Sequence, residues 1–268
     1  MTAVQNGVAD QASAPNLLPM ETTKSIITAD SYFELTEQLR RIDISVPRIS
    51  RGRTKLHTER WTMYRFLATH GDLSEFVYPL TVVHKDRPDF RIEMHGRKIG
   101  VEVTSAMPEE YARALALRDK HYPNSPMEPD YFRWGSPKRT NRAILRILME
   151  SQSRLSGPGW VGDSVEREWA VAICAAFQSK TKVLNAKGFK RYQWNWLLVY
   201  DNVPQVGMDL EAALIHLRTR LKAVSESLPA SWRTFSALFI ESHERFVAVE
   251  TGSSFVRSVN NIWRDRGS

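Results

Sequence analysis

Apolar residues recur at helical spacing from Leu56 to His70, with Trp61, Met63, Tyr64, Phe66 and Leu67 ahead of Gly71, so a helix is predicted over that stretch. The following "EFVYPLTVVHK" reads as extended, and Pro79 points to an irregular or edge segment. Two more extended runs, Phe90 to Met94 and Ile99 to Ser105, flank His95-Gly96, a short turn signal. A second helix is announced by Ser136-Pro137 and continues through "KRTNRAILRILMESQSRL". A third starts at Asp163, with Glu166 at capping-box spacing, and runs to Gly188. Strand-like patterns return at 194–201, 234–242 and 245–251. Residues 1–27 carry neither period and are rich in Ala, Ser, Asn and Gln, which reads as a flexible tail before one domain at 28–268. The order of elements predicts an α/β fold, a central mixed β-sheet flanked by helices.

The register of the first hairpin carries the chemistry. With a two-residue loop at His95-Gly96, paired positions sum to 191, so Phe90 faces Val101, Ile92 faces Ile99 and Glu93 faces Lys98. Asp89 then lies opposite Glu102. A four-residue loop would pair Asp89 with Thr104 but leave both acids on one face. Two carboxylates this close repel unless a cation sits between them, and oxygen ligands of this kind suit Mg²⁺ or Mn²⁺. The bland alternative is an ordinary turn acid after Pro88 and a Glu102 paired with Arg91, Arg97 or Lys98.

Charge and cysteine usage narrow the setting. The 268-residue chain carries 37 Lys and Arg against 30 Asp and Glu, a net charge of +7 that favours an acidic partner such as nucleic acid. Its one cysteine, Cys174, excludes an internal disulfide framework and a Cys-based zinc site. No secretory leader pattern and no long apolar run is present, so a soluble, cytoplasmic protein with no membrane association is expected.

"Pro88-Asp89 … Glu102-Val103-Thr104" resembles the core motif of the PD-(D/E)XK nuclease superfamily, in which a proline-aspartate pair precedes an acid, an apolar residue and a lysine. The resemblance implies a restriction-endonuclease-like core and Mg²⁺ or Mn²⁺ held by Asp89, Glu102 and the Val103 carbonyl. It also implies hydrolysis of phosphodiester bonds, in DNA ahead of RNA, and is compatible with a homodimer. Thr104 stands at the lysine position, so a relocated lysine is sought elsewhere. Lys180 falls inside the apolar stripe of Ile173, Ala176, Phe177 and Leu184 and points inward, whereas Lys182, about 200° round the helix, faces water. The alternative for Lys180 is a snorkelling side chain. Such sites often gain an acid from the first core helix; Glu59 is the candidate here, its alternative being a first-turn acid that stabilises the helix dipole.

Lys138, Arg139, Arg142 and Arg146 form a basic stripe suited to a phosphate backbone, with a solvated helix face as the plain reading. "RISRGRTK", from Arg48 to Lys55, is a second basic cluster. "GPGWVG", Gly157 to Gly162, matches a dinucleotide motif in letters but lacks the strand that should precede it. Two other readings stand beside the nuclease. One is an inactive nuclease-like fold that binds nucleic acid or protein, and the other a small-molecule hydrolase using the same metal pair.

Overall fold

Near-continuous apolar runs such as Trp196-Leu197-Leu198-Val199 and Ala237-Leu238-Phe239-Ile240 need apolar cover on both faces, which a central sheet between helices supplies. A computed structural model of the chain describes residues 26–48, 51–151, 159–201, 207–250 and 253–264. In chain order it contains β1 (Ile26–Ala29), α1 (Tyr32–Arg41), α2 (Lys55–His70), β2 (Leu80–His84), β3 (Phe90–Met94) and β4 (Arg97–Ser105). Then follow α3 (Glu109–His121), α4 (Asn141–Glu150), α5 (Ser164–Leu184), β5 (Trp194–Asp201), α6 (Leu210–Ser227), β6 (Ala237–Ser242), β7 (Arg245–Glu250) and β8 (Ser253–Ser258). Among the described residues the strands form one mixed sheet of eight, in chain order across the sheet. β1 to β4 are an antiparallel meander, β4, β5 and β6 are parallel, and β7 and β8 return antiparallel. The parallel steps are bridged by helices, as parallel strands require.

Alternation assigns each strand residue to a layer. Val101, Val103, Trp196, Leu198 and Phe239 pack with Met63, Phe66 and Leu67 of α2 and Leu35 and Leu39 of α1. Leu197, Val199, Leu238 and Ile240 face the other way, against Ile173, Phe177 and Leu184 of α5 and Ala213 and Leu217 of α6. α3 and α4 build a smaller cluster around Tyr111, Phe132, Ile144 and Leu148.

Several expectations need correction. β1 begins at Ile26, inside the stretch read as tail, because Ile26 to Ala29 pair with Val83 to Leu80; residues 1–25 lie outside the described residues. β2 starts immediately after Pro79 and lies between β1 and β3, so the proline marks a strand start and no edge. α4 begins at Asn141 because the Thr140 hydroxyl accepts from the Ala143 amide, whereas the Arg139 amide is claimed by the Glu110 carboxylate. Lys138 and Arg139 therefore precede the helix. Glu166 does not close a capping box; its carboxylate accepts from the Asp209 amide at 2.9 Å and ties α5 to the start of α6. Of "GPGWVG", Gly157 and Pro158 lie outside the described residues, and 159–162 are loop ahead of α5.

At the end of α2, His70 is fully buried, its ring packed on Phe66, Phe239 and Phe246 at centroid distances of 4.9, 5.4 and 5.1 Å. Burial disfavours the imidazolium and lowers its pKa to about 4. The unfolded chain thus takes up the proton first, and stability present above pH 6.5 is lost as pH falls towards 4. Urea melts across that window should show the unfolding free energy of wild type falling by roughly 3 kcal/mol relative to that of His70→Phe. Parallel curves would show that His70 is not the group responsible.

Candidate active site

The chain reverses at His95-Gly96 with φ values of 45° and 79°, both in the left-handed region that a two-residue type I′ hairpin demands. The resulting register pairs Phe90 with Val101, Ile92 with Ile99 and Glu93 with Lys98, the two-residue-loop pairing expected from the sequence. Asp89 lies one residue before β3, its backbone oxygen accepting from the Lys85 amide at 2.8 Å. Its side chain turns towards β4, where Oδ2 accepts from the Val103 amide at 2.8 Å. Gly100 permits that approach: a Cβ there would lie 3.1 Å from Pro88 Cγ and 2.8 Å from the Tyr192 ring. Asp89 and Glu102 are only 2% and 3% exposed.

Glu102 and Thr104 pair across the parallel ladder with Leu197 and Val199, which belong to the layer under α5. The face from which Thr104 would present a lysine is thus the face that α5 covers. From that helix Lys180 extends to Glu102, its Nζ donating to Oε2 at 2.6 Å and standing 3.9 Å from Asp89 Oδ2. Its neighbours Ile173, Ala176, Phe177 and Leu184 are buried as the stripe implied, Lys182 is exposed, and the Lys180 side chain is 15% exposed. Lys180 has not snorkelled to water; its ammonium is spent on the acids.

Glu59 joins from α2. It is buried, with Oε2 3.4 Å from His84 Nε2 and Oε1 paired with Lys55. Lys55 Nζ also donates to Asp89 Oδ1 at 2.9 Å. A solvated first-turn acid would make none of these contacts. Burial alone would raise the Glu59 pKa, but the hydrogen bonds from His84 and Lys55 outweigh it and hold the carboxyl well below the usual range. Asp89 is shifted the other way: burial and the nearby Glu102 charge push it up to about 6, against the pull of Lys180.

Asp89, Glu102, Lys180 and Glu59 thus meet in one cluster, with the Val103 amide on Asp89. The basic stripe stays outside it. Arg139 is bound by Glu110, Lys138 pairs with Glu109 at 3.5 Å, and Arg142 and Arg146 are exposed one turn apart on α4. Trp196 is core, and Trp194 and Trp160 lie under Arg97 and Arg133. Lys55 and His84 were not anticipated as members of the site. The four-residue step from Lys55 to Glu59 on one helix face was the available signal.

No family model, curated protein or solved structure matches this chain.

Among the described residues, no three His, Cys, Asp or Glu side chains stand as a ready-made metal cage, and no helix is long and apolar enough to cross a membrane. The donor set nevertheless suits a hard divalent cation. Mg²⁺ is commonly held by one or two carboxylates with waters and substrate phosphate completing its shell, and Asp89 and Glu102 supply two buried carboxylates side by side.

Proposed function

We propose that this chain is a metal-dependent nuclease of the PD-(D/E)XK type, with a restriction-endonuclease-like core, that hydrolyses phosphodiester bonds of DNA. The observation that carries the reading is Lys180 reaching Glu102 beside Asp89, on the sheet face where Thr104 lacks an amine. The succession of α2, the antiparallel strands β2 to β4, α5 and the parallel strand β5 supports the same core.

Asp89 and Glu102 would hold Mg²⁺ or Mn²⁺, with Glu59 and the Val103 carbonyl as further oxygen donors. Such a cation, when bound, polarises a phosphoryl oxygen and makes a water more acidic. Lys180 orients the attacking water through its ammonium and offsets the negative charge that grows on the phosphoryl oxygens as the water oxygen bonds to phosphorus and the leaving oxygen departs. The net charge of +7, with Arg142 and Arg146 exposed on α4, supports attraction of a polyanionic substrate.

The test is cleavage of mixed DNA and RNA substrates with Mg²⁺, with Mn²⁺ and with chelator. Hydrolysis that needs the metal supports the proposal. Salt-sensitive DNA binding without hydrolysis under any metal would replace it with a binding module on the same fold. Asp89 adds a pH signature. Because its carboxyl must be ionised to take a cation and its pKa is about 6, Mn²⁺ affinity measured by calorimetry should fall roughly tenfold per pH unit below pH 6. A flat profile from pH 7 to 5 would remove Asp89 from the ligand set.

A further inference from the structure

Three buried carboxylates, those of Asp89, Glu102 and Glu59, face two ammonium groups, those of Lys55 and Lys180. The oxygens are divided between partners. Asp89 Oδ2 accepts from the Val103 amide and Glu59 Oε2 meets His84, which leaves Asp89 Oδ1 and Glu59 Oε1. Lys55 Nζ takes both of these, the position of a bridging cation. We infer that Lys55 is the resting counter-cation of the site and is displaced when a divalent metal binds. The inference rests on the proposal that these acids hold a metal.

Charge balance requires one lysine to leave. With both ammoniums in place the cluster is one charge short of neutral, and a divalent ion would turn that deficit into an excess of positive charge within a poorly solvated site. A protonated His84 would only enlarge the excess. The two lysines differ in their freedom to move. Lys180 sits in the apolar stripe of α5, with a side chain 15% exposed, and its withdrawal would draw its stem through packed side chains. Lys55 lies in the first turn of α2 with its side chain 69% exposed, so rotation about its own bonds carries the ammonium into water. Metal occupancy and a released Lys55 are then two descriptions of one state, and the metal concentration at which the site fills is set partly by this lysine.

The experiment is calorimetric titration of the full chain with Mn²⁺ alone, comparing wild type, Lys55→Gln and Lys98→Gln. Lys98, 3.8 Å from Glu93 on the same hairpin, removes an equal charge without touching the cluster. Lys55→Gln is expected to bind Mn²⁺ roughly fivefold more tightly, in keeping with the strength of a partly exposed ion pair, while Lys98→Gln stays within about twofold of wild type. Equal affinities in wild type and Lys55→Gln would overturn the displacement and leave the metal site standing, as would weaker binding by Lys55→Gln or equal tightening in both variants. Absence of Mn²⁺ binding in all three proteins would instead remove the metal site itself. Thermal melts establish that each variant is folded before titration.

Discussion

Asp89→Asn and Glu102→Gln are each expected to lower metal-dependent cleavage at least about a thousandfold, some 4 kcal/mol of transition-state stabilisation. Both substitutions keep the shape of the side chain. An amide oxygen at 89 can still accept from the Val103 amide, and one at 102 can still accept from Lys180, so the hairpin and α5 keep their anchors. What is lost is negative charge beside a bound cation, together with the anionic partner that fixes the Lys180 ammonium. Lys180→Met, which retains the buried stem, should cost roughly a hundred- to a thousandfold, the scale of one preorganised charge-stabilising donor. Steady-state cleavage with Mn²⁺, run alongside thermal melts, reads all three. Full activity in either acid variant would mean that the hairpin is not where phosphodiester chemistry occurs, and full activity in Lys180→Met would confine that lysine to neutralising Glu102.

The parts of this site that could be read from the sequence are those governed by local geometry. A His-Gly turn fixes the register of a hairpin, and the register alone places Asp89 opposite Glu102. The helical period likewise turns Lys180 inward and Lys182 outward. The four-residue step from Lys55 to Glu59 pointed to one of its two acids, but nothing local announced the other, since Asp89 lies 34 residues away. The same limit explains Glu166: its spacing from Asp163 fits a capping box, yet its carboxylate accepts from the Asp209 amide, 43 residues along the chain. Elements with weak apolar signals went unread as well. β1 is four residues long, β8 reads Ser-Ser-Phe-Val-Arg-Ser, α1 keeps Phe33 exposed, and α3 buries only Tyr111 and Ala114. α6 buries Leu210, Ala213, Leu214 and Leu217, a stripe diluted by the exposed Ile215.

Away from the carboxylate cluster, Arg65→Met is expected to destabilise the fold by about 3 to 5 kcal/mol at pH 8, the usual consequence of leaving a buried charge without its partner. Arg65 Nε donates to Glu241 Oε1 at 2.6 Å, its guanidinium lies 4.4 Å from the Trp61 ring centroid, and Glu241 is fully buried on β6. The other carboxylate oxygen, Oε2, has no hydrogen-bond partner among the described residues. Even with Arg65 in place, burial pushes the Glu241 carboxyl up to about 7. The direction of the pH dependence follows from that value. The folded state holds this proton more tightly than the unfolded chain, so the contribution of Glu241 is full below pH 4.5 and is lost as pH rises through 7. The difference in unfolding free energy between wild type and Glu241→Gln should therefore shrink by roughly 3 kcal/mol from pH 4.5 to 8. Taking that difference separates Glu241 from His70, whose titration opposes it over part of the same range. In Arg65→Met the carboxyl loses the charge that was pulling its pKa down, so it takes up a proton at higher pH than in wild type and the defect should be smaller at pH 5 than at pH 8, and Arg65→Met with Glu241→Leu should recover most of the loss at every pH. A single variant equally destabilised at pH 5 and pH 8, or a double variant no more stable than the single one, would show that Arg65 acts by packing on Trp61 and not by neutralising Glu241.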